Sequence, residues 1–378
     1  MNPTASTAPF THLAAVQKLP GEGGVSRVHL NTMPGTLDVE CHDEAVARTL
    51  ARGLLEHYDH LPVPPLPPHR GRATLSLEPA MQGVWPPIAE ADWRRIDDRP
   101  QRDGRVRGLA YEHVQEYLDP AAGAAEFVTR DGSCVRVAAD QSLSGYTTPA
   151  DRARGDGGMR VLRDLVACAF TRVWREWGYF VLHCSVVLGP DGACRLFPAS
   201  SGSGKSALLL AMVRHGGLLV GDDKLIMREE TSADGTTQIR GYPMQRFVNL
   251  TQDVTEYWPS LAFLREERSS PTWPKVRIDM QRVGLGDAPL PVCVPSRILF
   301  PEVVEGAEQT ELQAVSPIDA VDLLLTQSVV SLEPAHASAH LALLARLATD
   351  CRCLRLLGGM DVMRTPVEFC EWLMRETA

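Results

Sequence analysis

The chain has 378 residues, 44% of them apolar or aromatic and 22% charged. This balance excludes a collagen-like chain, a long coiled coil and a wholly disordered one. Lys and Arg number 38 against 47 Asp and Glu, a net charge of −9, which speaks against a nucleic-acid binder built on a basic stripe. At roughly 100–200 residues per domain the length allows two or three domains. The nine cysteines are scattered through apolar stretches and form no CxxC pair, the pattern of reduced, buried thiols. No apolar run approaches the ~18 residues of a membrane span, and residues 1–10 lack the pattern of a signal peptide. The expectation is a cytoplasmic protein without a membrane segment.

In chain order, residues 1–25 read as a tail and residues 26–150 as a small α+β domain. Residues 26–31 and 36–41 alternate with strand period. Asp43 is placed to cap a helix over 44–57, with Ala45, Val46, Leu50 and Leu54 on one face. Residues 61–68 are too proline-rich for helix or central strand and read as a stiff connector. Residues 73–77 are a strand, and 92–107 mix both charges as a solvated loop would. Residues 127–137 are a hairpin turning at Asp131 and Gly132. A Gly-, Pro-, Asp- and Arg-rich boundary over 148–158 opens a second domain, 151–378.

From Met159 the period becomes helical. Val161, Leu162, Leu165, Val166, Ala169, Phe170, Val173 and Trp174 share one broad face, and Gly178 is the stop. Tyr179 to Leu188 reads as one strand carrying His183. Gly189-Pro190-Asp191-Gly192 turns the chain, and Ala193 to Phe197 returns. Downstream, 317–330 and 334–348 are predicted helices and 351–357 a strand. Thr365 and Pro366 open a final helix that runs through Arg375.

The informative segment follows that returning strand. Pro198-Ala199-Ser200-Ser201-Gly202-Ser203-Gly204-Lys205-Ser206 leads into the apolar run Ala207 to Val213. Strand, Gly-rich loop and helix make a P-loop pattern, with Ala199 in place of its first Gly. Gly202 and Gly204 let backbone N–H groups approach phosphate oxygens closely. The helix start adds its dipole. Lys205 would neutralise phosphate charge, and the Ser206 hydroxyl is a Mg²⁺ ligand. Residues Ser201, Gly202, Ser203, Gly204, Lys205, Ser206 and Ala207 are therefore a candidate nucleotide site.

Only 17 positions later, Leu218 to Gly221 runs into Asp222-Asp223. An apolar strand ending in acid is the Mg²⁺-side element of phosphate-binding folds. The interval holds one helix and one strand, shorter than in Ras-like GTPases and most P-loop ATPases, and no Asn-Lys-x-Asp guanine signature occurs. Upstream, His183 precedes the hairpin that feeds the loop.

This order of His183, loop and Asp222-Asp223, across about residues 179–227, resembles the HPr kinase/phosphorylase family. The wider relatives of that family include lasso-peptide kinases, and it shares a fold with phosphoenolpyruvate carboxykinases. The resemblance implies an α/β P-loop kinase domain of that type, preceded here by the small α+β domain. It implies ATP and Mg²⁺, with Asp222 as base on a hydroxyl, Asp223 as a metal-side acid with Ser206, and His183 beside the transferred phosphate. In Gly241 to Leu250, Arg246 is the candidate phosphate clamp. Lys275-Val276-Arg277 falls where the family keeps a basic residue.

That stretch holds no Glu, so one family metal ligand has no counterpart. The N-terminal 150 residues do not resemble the N-terminal domain of the HPr enzymes. The expected activity is transfer of the ATP γ-phosphate to an alcohol hydroxyl, of a seryl residue in a peptide or protein or of a small metabolite. A nucleotide-binding regulator without phosphotransfer is the alternative. Phosphorolysis is the same chemistry in reverse, and the HPr enzymes, being hexamers, leave a homo-oligomer open.

Overall fold

A computed structural model describes residues 16–18, 25–31, 35–48, 50, 71–79, 105–111, 114–153, 156–200, 202–243, 247–266, 275–279 and 292–377. The fold is mixed α/β. Its first half is a nine-stranded sheet of β1 (Val16–Lys18), β2 (Ser26–Asn31), β3 (Gly35–Cys41), β4 (Gly71–Pro79), β5 (Val106–Tyr111), β6 (Val114–Asp119), β7 (Ala124–Thr129), β8 (Cys134–Val137) and β9 (Leu143–Thr147), in the order β1-β2-β3-β4-β9-β8-β7-β6-β5. The β3–β4 and β4–β9 pairs are parallel and the others antiparallel.

Alternation explains the strands that the pattern predicts. Leu37, Val39 and Cys41 of β3, and Ala73, Leu75 and Leu77 of β4, are buried at every second position. The predicted hairpin forms between β7 and β8, with Gly132 in the left-handed region at φ 87°. Strand β6 escapes prediction because it buries Gln115 and Glu116 between its apolar residues, which erases the period-2 signal. Of the predicted helix over 44–57, residues 44–48 and 50 are helical and the others lie outside the described residues. The connector at 61–68 and most of the 92–107 loop lie outside the described residues.

Helix α1 (Pro149–Ala153) leads to α2 (Asp156–Glu176), which packs on β5 to β8. Leu162, Leu165, Val166, Ala169, Phe170, Val173 and Trp174 are buried there, in one core that also takes residues of the sheet from Val28 to Leu143. Gly178 ends the helix as its sequence predicts: φ is +77°, and the Tyr179 N–H returns to the Trp174 carbonyl at 2.9 Å.

One predicted element is corrected. Residues 179–188 are two strands, β10 (Phe180–Leu182) and β11 (Cys184–Leu188), broken at His183. The His183 N–H donates to the Gln327 carbonyl at 2.9 Å instead of to a neighbouring ladder. β10 joins a three-stranded sheet with β14 (Leu225–Thr231) and β15 (Thr237–Pro243), in the order β10-β14-β15. β11 joins a six-stranded sheet with β12 (Cys194–Pro198), β13 (Leu218–Gly221), β18 (Pro295–Val303), β19 (Glu311–Ala314) and β20 (Arg352–Gly358), in the order β13-β11-β12-β18-β20-β19. Strands β16 (Phe247–Thr251) and β17 (Lys275–Asp279) form a separate ribbon.

Strand directions in the six-stranded sheet decide where chemistry can gather. β12, β18 and β20 are parallel; β11 is antiparallel to both β12 and β13, so β13 runs with β12. The carboxyl ends of β12, β13, β18 and β20, and the amino end of β11, therefore share one edge. In open α/β sheets, ligands bind beyond that edge.

Helix α3 (Lys205–Arg214) follows β12, with Leu208 to Met212 buried beneath it. Helices α4 (Pro317–Leu325) and α5 (Pro334–Asp350) precede β20. The predicted helix over 317–330 stops at Leu325, because residues 326–331 turn away to meet His183 and to offer the Val329 carbonyl to Arg175 Nη2 at 2.7 Å. Helices α6 (Asp361–Arg364) and α7 (Pro366–Thr377) close the chain. All nine cysteines are free thiols. Among the described residues, no helix is long and apolar enough to cross a membrane.

Candidate functional site

The Gly-rich loop leaves the carboxyl end of β12. Gly202 and Gly204 sit at φ 89° and 86°, a conformation other residues adopt at a cost of roughly 1–2 kcal/mol. A Cβ at Gly204 would also press on Val303 Cγ2 at 3.3 Å. Gly204 is the N-cap of α3, so the helix starts at Lys205, with Ser206 and Ala207 in its first turn. Ser203 Oγ donates to the Ser200 carbonyl at 2.9 Å and tightens the loop.

Lys205 is buried and turns back over the loop. Its Nζ donates to the carbonyls of Ala199 and, at 2.9 Å, Ser200. Burial pushes its ammonium below the ordinary lysine range; the charge on Asp222 opposes this and Lys275 adds to it. Lys275 thus acts on the loop lysine from the start of β17.

Asp222 and Asp223 leave the carboxyl end of β13 with contrasting surroundings. Asp222 is 3% exposed. Its Oδ1 accepts from Ser185 Oγ at 2.6 Å and its Oδ2 from the Asn249 N–H at 3.0 Å. Burial raises its carboxyl above the usual range, and those two hydrogen bonds partly offset the rise. Asp223 is half-buried, in the left-handed region at φ 74°. Its Oδ1 lies 3.1 Å from His183 Nε2. His183, Lys205, Ser206, Asp222 and Asp223, sought from sequence spacing alone, therefore stand along one sheet edge. Ser201 and Arg246 lie outside the described residues, as does the side chain of Arg277.

Three participants were not singled out from the sequence. Ser185 is the residue two after His183 on β11, and it anchors Asp222. Gln327 Nε2 donates to Ser200 Oγ at 3.3 Å, joining the 326–331 segment to the loop. Asn249 has the most telling position. Its N–H holds Asp222, while its carbonyl accepts from Ser206 Oγ at 3.2 Å. A lone Asn in the apolar run Phe247-Val-Asn-Leu250 was the available signal.

Mg²⁺ is a hard cation that takes oxygen ligands. Ser206 and Asp223 offer hydroxyl and carboxylate oxygens at this edge and Asn249 an amide oxygen, whereas both Asp222 oxygens are already taken by Ser185 and the Asn249 N–H. Asn249 Oδ1 is buried without a hydrogen-bond partner. This donor chemistry fits a magnesium-bound nucleotide. A different trio, Glu176, Glu333 and His336, has ligand atoms within 4.8 Å of one another. There Arg172 Nη2 already lies 2.5 Å from Glu333 Oε2 and supplies positive charge, so the group reads as a partly exposed ion network.

No family model matches the chain, and no curated protein matches it either. Among solved structures, the HPr(Ser) kinase/phosphatase from Coxiella burnetii aligns with 52% of this chain and 96% of its own length, at 12% identity and a TM-score of 0.27. Likeness of that degree establishes neither fold family nor activity.

Proposed function

We propose that the chain is an ATP-dependent kinase that transfers the γ-phosphate to an alcohol hydroxyl, of a seryl residue in a peptide or protein or of a small hydroxylated metabolite. One observation carries this reading: the buried loop lysine, a buried aspartate and a His–Asp pair meet at the carboxyl edge of one sheet. The loop backbone, from Ser201 to Ser206, and the start of α3 at Ala207 would cradle the phosphates. Lys205 would exchange the loop carbonyls for phosphate oxygens. A divalent cation would screen the phosphate charge beside Ser206 and Asp223.

The acceptor oxygen forms a bond to the γ-phosphorus, the bond from that phosphorus to the bridging oxygen breaks, and ADP departs. The hydroxyl proton goes to Asp222, whose raised proton affinity suits a general base. His183 and Arg246 would face the transferred phosphoryl oxygens. The test is transfer itself. Given ATP, Mg²⁺ and a mixture of seryl peptides and hydroxylated metabolites, the chain should add phosphate to an acceptor, seen by mass spectrometry. Binding of ATP with no transfer to any acceptor, and a nucleotide-dependent output that Asp222→Asn leaves unchanged, would favour the regulator instead.

A further inference from the structure

Asn249 is buried, and its backbone is fully employed: the N–H holds Asp222 and the carbonyl holds Ser206. In an antiparallel ribbon the N–H and C=O of one residue point to the same side, so both face away from β17, toward the sheet edge that carries the loop and the aspartates. Val248 and Leu250 lie in the apolar core beneath α3, which puts the Asn249 side chain on the opposite face of the ribbon. There its Oδ1 has no hydrogen-bond partner.

A buried carbonyl oxygen without a partner costs about 1–3 kcal/mol, so one beside a polar site calls for a water, an ion or a ligand to satisfy it. An amide oxygen accepts only, so the missing partner must be a cation or a donor. Ser206, whose hydroxyl the Asn249 carbonyl holds, and Asp223, which leaves the same sheet edge, supply a hydroxyl and a carboxylate, and with the amide these make an all-oxygen donor set. Such a set suits a hard divalent cation.

We propose that Asn249 is a cation-side residue of the nucleotide site: its Oδ1 holds the divalent cation that accompanies ATP, directly or through a water of its shell. The inference rests on the reading of the site as an ATP site and deepens it. It makes the coupling between metal and nucleotide depend on a side chain that neither the glycine-rich loop nor the aspartate pair contains.

Equilibrium titration with a fluorescent ATP analogue, across a range of Mg²⁺ concentrations, tests it without any need for turnover. In wild type the nucleotide affinity should rise with Mg²⁺. In Asn249→Leu the affinity in EDTA should match wild type, while the Mg²⁺ midpoint should move up by at least about tenfold. Thermal unfolding of that variant should be unchanged or shifted upward, because an orphaned buried acceptor has been removed. A structural role for Asn249 would shift it downward. Asn249→Asp, which keeps an oxygen there, should retain a Mg²⁺ midpoint at or below that of wild type. A wild-type Mg²⁺ midpoint in Asn249→Leu, or a raised one in Asn249→Asp, overturns the proposal while leaving the ATP site intact. Failure of wild type itself to bind nucleotide removes the ATP reading and the proposal with it.

Discussion

Asp222→Asn is expected to lower turnover by about a thousandfold while ATP affinity stays within about twofold of wild type, the range in which loss of a positioned general base falls. The substitution is nearly silent for the fold. An asparagine there can still accept the Asn249 N–H through its Oδ1 and can donate through its amide to Ser185 Oγ, so both hydrogen bonds that position the side chain survive. What is lost is the ability to take a proton. The pH dependence carries the same information. Burial raises the proton affinity of Asp222, so wild-type turnover should fall as the pH drops through that raised pKa and the carboxylate is protonated. The variant should lack that acidic limb. Turnover in Asp222→Asn equal to wild type would remove Asp222 from the chemistry.

The second large effect is on stability. Arg195 sits on β12, the strand that delivers the loop, and is fully buried. Its guanidinium makes a two-pronged contact with Asp191, Nη1 to Oδ1 at 2.9 Å and Nη2 to Oδ2 at 2.6 Å, and holds Asp191 below the usual carboxylate range. Nη2 also donates to Thr377 Oγ1 at 3.0 Å, tying the β11–β12 turn to the last helix. Arg195→Ala should cost about 3–5 kcal/mol, toward the lower end because the Asp191 side chain is 31% exposed. Against a typical total of about 5–15 kcal/mol, that is a large share. Arg195→Met keeps most of the volume without the charge and should cost less. Urea unfolding of both variants checks this; losses under about 0.5 kcal/mol in both would show that the network is not a tie.

Where a segment's physics is local, its structure was legible from sequence. The alternation of Leu37, Val39 and Cys41 marks β3, the apolar face from Leu162 to Trp174 marks α2, and Gly178 marks the end of that helix. The short interval from Lys205 to Asp222 leaves room for one helix and one strand, and α3 and β13 fill it. The misses have non-local causes. β6 buries Gln115 and Glu116 and so loses its period. The break at His183 depends on the Gln327 carbonyl, far along the chain. Asn249 meets Asp222 from 27 residues away through backbone atoms, which carry no sequence signature. The candidate site was thus legible where one motif holds its residues, and hidden where tertiary pairing supplies the partner.

The central claim is that this sheet edge holds the phosphates of ATP through the loop and its buried lysine. Calorimetric titration of ATP with Mg²⁺ into wild type and Lys205→Ala tests it most directly. Charged hydrogen bonds of the kind Lys205 would make are worth about 1.5–3 kcal/mol, so the account predicts binding by wild type and a loss of about ten- to a hundredfold or more in the variant. Equal ATP affinity in the two proteins, or none in wild type, would contradict it.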